Sequence, residues 1–165
     1  MKFLTLTLFE IASFALIIVF SNLLLRRLRA EAQEEGKPNL SYIVLLATWL
    51  LCSALLNYNS VQVFIEFIDA AYKLNSSHLI MDSLEAGILL IGSSCLWLLF
   101  SHYVTAVGST LVSGKRNDAY EIKGNNVSHF VIRGIVMLVF IISSMPFFEF
   151  LLRFILPTLD VPFYR

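Results

Sequence analysis

The sequence predicts an all-α integral membrane protein, a four-helix bundle built from two tandem helical hairpins. Three observations predict it. Of 165 residues, 58% are hydrophobic and only 15% charged, with a mean hydropathy of +0.77. Soluble domains are about 45–50% apolar and about 25% charged. Four stretches have the length and apolar character of membrane-crossing helices, for which about 20 residues suffice. The connections between them are short, which pairs successive helices as antiparallel neighbours.

The spans fall at about 4–25, 41–63, 86–107 and 129–151 of a single membrane domain. The first reads as a permanent anchor and not a cleaved leader. Its apolar run is too long for a leader, Glu10 interrupts it, and its basic cluster follows the run instead of preceding it. Lys and Arg in the short loops set orientation. Arg26, Arg27, Arg29 and Lys37 follow span one, and Lys115, Arg116 and Lys123 follow span three. Only Lys73 stands between spans two and three. Both basic loops are therefore expected in the cytoplasm, with both termini outside.

The chain also carries the marks of an internal duplication. Asn39-Leu-Ser-Tyr-Ile-Val44 reads against Asn126-Val-Ser-His-Phe-Val131, and Phe9-Glu-Ile-Ala12 against Leu84-Glu-Ala-Gly87. The repeats cover about 1–74 and 75–165. Each holds two spans, so the halves share one membrane orientation, a parallel duplication. This pattern resembles the YjfL-type family of small bacterial inner-membrane proteins. There, a Glu-Ile followed by Gly-Asn or Asn-Asn opens the second helix of a hairpin. The matching stretch is Glu121-Ile-Lys-Gly-Asn-Asn126, with a decayed copy at Glu35-Gly-Lys-Pro-Asn39. The small Ala-rich run that follows in the family is replaced here by Val127, Ser128, His129 and Phe130. The resemblance implies the fold and a bacterial inner membrane, and the family has no known biochemical activity to pass on.

Ionisable residues near the bilayer are the default functional candidates. Glu10 sits roughly 9 Å inside span one. Glu85 opens span three, and Glu66 and Glu149 fall late in spans two and four. Arg153 follows Glu149 by four residues, the favourable pair order on a helix. Asn57 and Asn59 in span two, and Ser144 and Pro146 in span four, read as paired helix breaks. Two readings follow. Either the spans end there and amphipathic segments lie at the outer interface, or the helices continue and the carboxylates line an outer vestibule.

Gly92, Ser93 and Ser94 read as a packing seam, because small residues admit close helix approach. Trp49, Trp97, Cys52 and Cys95 read as bundle filling, and His102 as a packing or headgroup residue. Arg26, Arg27, Arg29, Lys115 and Arg116 read as cytoplasmic anchors or contacts, and 112–118 as a polar stretch open to a partner.

No nucleotide loop, metal pattern or nucleophile motif is present, so no cofactor, metal or catalytic residue is expected. Twelve basic residues balance twelve acidic ones, which removes the electrostatic case for nucleic acid. The expected role is a non-catalytic subunit or scaffold, held in the bilayer with a protein partner or as a homo-oligomer. The competing expectation is a small cation channel or carrier that works as an oligomer.

Overall fold

The computed structural model describes residues 2–34, 37–74, 79–114 and 117–156. Four long helices dominate it. They are α1 (Lys2–Glu31), α2 (Leu40–Lys73), α3 (Leu79–Ser113) and α5 (Val127–Ile155), with a short α4 (Asp118–Lys123) between the last two. A two-residue antiparallel pair, Gln33–Glu34 with Lys37–Pro38, turns α1 into α2. All four long helices are long and apolar enough to cross a membrane. At 1.5 Å per residue α2 and α3 are each about 50 Å long, well beyond a hydrocarbon core of about 30 Å.

The helices form a rhomb. α2 and α3 pack across its short diagonal, while α1 and α5 occupy opposite flanks, each against both central helices. The most extensive interface joins α2 to α5, the second helices of the two hairpins. Position explains burial. Flanking α1 buries a narrow stripe of Phe9, Ser13, Ile17, Ser21 and Leu25, one residue per turn, and leaves its other faces for lipid. Central α2 buries residues on several faces, from Ser41 to Ala71.

The core has a membrane character. The inward face of α3 carries Ser83, Ser94, Ser101 and Thr105, each buried, and each hydroxyl donates to the carbonyl one turn back. That local bond lets a hydroxyl sit in an apolar interior without an orphaned proton. Small side chains let the helices close together, as at the buried 2.6 Å contact between Ser60 and Ser94 hydroxyls that joins α2 to α3.

Two expectations need correction. The proposed breaks at Asn57, Asn59, Ser144 and Pro146 do not interrupt the helices. α2 runs unbroken to Lys73 and α5 continues past Pro146 to Ile155. Polar side chains fit a helix interior by bonding to a carbonyl of the preceding turn. The Asn59 amide donates to the Leu55 carbonyl at 3.0 Å, and the Ser144 hydroxyl to the Ile141 carbonyl at 3.2 Å. Pro146 removes the N–H that would meet the Ile142 carbonyl, a loss that packing against neighbouring helices makes tolerable within a membrane helix. The segments beyond these residues are therefore helix extensions and not separate interfacial pieces.

The second correction concerns Gly92-Ser93-Ser94. Only Ser94 is buried in the seam; Gly92 is exposed and a Cβ placed on it would meet nothing. A helix turns about 100° per residue, so three consecutive residues cannot share one face.

Candidate functional site

The polar residues singled out near the outer end divide into two groups. Arg153 grips Glu66 with two parallel bonds of 3.1 Å and takes Glu149 at 2.8 Å, tying α5 to α2. Lys2 pairs with Asp69 and ties α1 to the same part of α2. These charges are substantially exposed, where ion pairs contribute about 0–1 kcal/mol each. Glu10 and Glu85 are exposed on the outside of the bundle. Arg153 thus gathers two of the four carboxylates, and they do not meet as one enclosed site. The helix-break residues sit nearby. Asn59 also reaches Met145 of α5 at 2.8 Å, while Asn57 keeps a buried side-chain oxygen without a partner.

The opposite end, where the basic loops lie, is built differently. Two asparagines cap helices there. Asn39 accepts from the Tyr42 N–H at the start of α2, and Asn126 from the His129 N–H at the start of α5. The two caps are cross-linked. The Asn39 amide donates to the Ile122 carbonyl of α4, and Asn125 accepts from both the backbone and the hydroxyl of Ser41. Asn125 holds a positive φ of 49°, a conformation that asparagine tolerates better than most residues. Asn126 in turn donates to the Glu121 carboxylate. The turn before α5 is thereby clamped to the turn before α2.

That clamp positions a buried ionic cluster. Arg133, on the second turn of α5, has only 3% of its side chain exposed. Its Nη1 donates to Asp118 of α4, and its Nη2 lies 3.2 and 3.4 Å from the two ring nitrogens of His102 on α3. His129, one turn before Arg133, brings its Nε2 to the other oxygen of Asp118 at 3.2 Å. The Trp49 ring of α2 packs 5.1 Å from the His102 ring. Three helices therefore meet at one guanidinium, and α2 backs the His102 ring through Trp49. Gly134 makes this possible: a Cβ there would come 2.5 Å from the Thr48 hydroxyl of α2, so only glycine admits the approach of α5.

An isolated guanidinium inside an apolar bundle would cost several kcal/mol, and its carboxylate partner offsets that cost. The Arg133 Nε remains buried without a partner. A buried ionisable residue on a membrane-spanning helix is a functional candidate by default. A groove of about 730 Å³ opens beside the cluster, with Arg27, Tyr103, Asn117, Asp118 and His129 on its walls. Among the described residues no three His, Cys, Asp or Glu side chains converge to hold a metal ion.

Sequence reasoning passed over this site. It placed His102 in packing and Asp118 at the end of a loose polar stretch. The available signal was His129 and Arg133, four apart on an otherwise apolar helix and so on one face. Of the basic contacts expected in the loops, Arg26, Arg27 and Arg29 lie exposed at the end of α1. Lys115 and Arg116, and Glu35 of the decayed repeat motif, lie outside the described residues.

The four long apolar helices define the class: an integral membrane protein with an all-α four-helix bundle. No family model matches the chain, and no curated protein or solved structure is significantly similar to it.

Proposed function

We propose that this protein is a non-catalytic subunit or scaffold of a membrane assembly. The supporting observation is the filled middle of the bundle. Trp49, Cys52, Leu56, Leu90, Leu98, Met137 and Ile141 are each at most 2% exposed and occupy the space between the helices. A single chain packed this way leaves ions little open passage between its ends, and its buried ionic cluster lies toward one of them. The bacterial inner membrane is the proposed location, on the resemblance to the YjfL-type family.

A second reading, an oligomeric cation channel or carrier, has one specific observation behind it. Glu10 lies exposed on the outside of α1, inside the apolar run. A carboxylate facing hydrocarbon is costly, and a polar path between copies would relieve it. Purification from native membranes in mild detergent, followed by native mass analysis, separates the readings. A stoichiometric partner protein is the expected result. A homo-oligomer without a partner, with liposome cation flux abolished by Glu10→Gln, would overturn the scaffold reading in favour of the channel.

A further inference from the structure

The groove beside the ionic cluster lies where three apolar runs stop. Arg27 follows the end of the first, Val107 closes the third and His129 opens the fourth, and all three line it. The groove therefore sits at the depth of lipid headgroups. Its α3 wall includes Tyr103 and Val107, which are 64% and 66% exposed, so it is open sideways toward acyl chains.

Its charges have a sign. Both oxygens of Asp118 are engaged, one by His129 and one by Arg133. Arg133 thus neutralises the carboxylate on the wall. Arg27 remains, with the Glu31 carboxylate at 3.8 Å, beyond hydrogen-bond distance. Arg26 and Arg29 on the same turns outweigh Glu31, so the surplus stays positive. Asn117 uses its side-chain oxygen to accept from the Ala119 N–H, which leaves its NH2 group as the donor. The wall thus offers a guanidinium and an amide donor to a ligand, and its one carboxylate is already satisfied.

We infer that this groove holds one anionic phospholipid of the leaflet at the basic end. Its phosphate sits on Arg27 and Asn117, and its chains run along Tyr103 and Val107. A phosphodiester carries a single negative charge, which matches Arg27, the one cation among the described wall residues. A zwitterionic headgroup adds an ammonium, and the only carboxylate it could meet on the wall is neutralised by Arg133. The inference stands whether the chain is a subunit or a channel.

The test uses the full-length protein in mild detergent with equal amounts of phosphatidylglycerol and phosphatidylcholine, read by native mass analysis. One phosphatidylglycerol is expected to be retained in preference to phosphatidylcholine. Arg27→Gln is expected to lower that retention about tenfold, the factor that loss of one charge-assisted hydrogen bond to the phosphate contributes. Arg26→Gln, on the same helix but not on the groove wall, serves as the control and should leave it within about twofold, as for a solvent-screened surface charge. Equal retention of the two lipids, or equal loss in both variants, would overturn the inference by showing diffuse attraction. Displacement of phosphatidylglycerol by inorganic phosphate alone would also overturn it, because the site would then take a soluble anion.

Discussion

Arg133 concentrates the residue-scale physics of this protein. The guanidinium is held in an apolar bundle by the Asp118 carboxylate and the His102 imidazole, which His129 and Trp49 in turn support. Breaking a buried pair by removing one partner costs about 3–5 kcal/mol, because the remaining charge is left uncompensated. Asp118 is 27% exposed, so water reaches it and the low end applies. Asp118→Asn is therefore expected to destabilise the fold by about 3 kcal/mol. Replacing both groups, as Asp118→Asn with Arg133→Met, should recover most of the loss, since an apolar side chain of similar length needs no counter-charge. Equilibrium unfolding in detergent micelles checks both, and a double variant no more stable than Asp118→Asn alone would show that the pair is not what holds α4 on α5.

At the scale of the element, the α2–α5 interface depends on one missing methyl group. Gly134→Ala would drive a Cβ into the Thr48 side chain. Overpacking of this kind costs about 1–3 kcal/mol. Thr48→Ala removes the two nearest atoms and leaves only an ordinary 3.4 Å contact with its Cβ. The Gly134→Ala, Thr48→Ala pair should therefore be more stable than Gly134→Ala alone, and a double-mutant cycle by thermal unfolding measures the coupling. The same scale explains the misread helix ends. Polar residues and a proline in an apolar run resemble a terminus, yet polar side chains can fold back onto carbonyls of their own helix without ending it. Leu55 and Ile141 are served in this way, and both helices continue.

For the whole molecule, the decisive feature is which faces the rhomb turns inward. Ser94 faces α2 and Gly92 faces away, although they are two residues apart. Ser94→Leu is expected to destabilise the monomer by about 2 kcal/mol or more, through overpacking and loss of the Ser60 bond. Gly92→Leu should leave monomer stability within about 0.5 kcal/mol, as surface substitutions do. A loss of oligomer or partner binding with Gly92→Leu and no loss of fold would place the assembly surface on the outer face of α3. Equilibrium unfolding of both variants in detergent reads the stabilities, and analytical ultracentrifugation reads the assembly.

Composition and hydrophobic run length by themselves determined that this chain is a four-span, all-α membrane protein. Those quantities measure transfer from water to lipid, and transfer depends on the residues and not on their partners. The helix caps Asn39 and Asn126 were legible too, as an Asn before each long apolar run. Only the tertiary structure decided the rest. It brought Asp118, His102, His129 and Arg133 together from three helices, and it sent Glu10 and Glu85 outward, away from the pair on Arg153. Helical periodicity gives the angle between residues on one helix. It does not say which angle faces the neighbours, and in a chain apolar on nearly every face only packing selects the inward side.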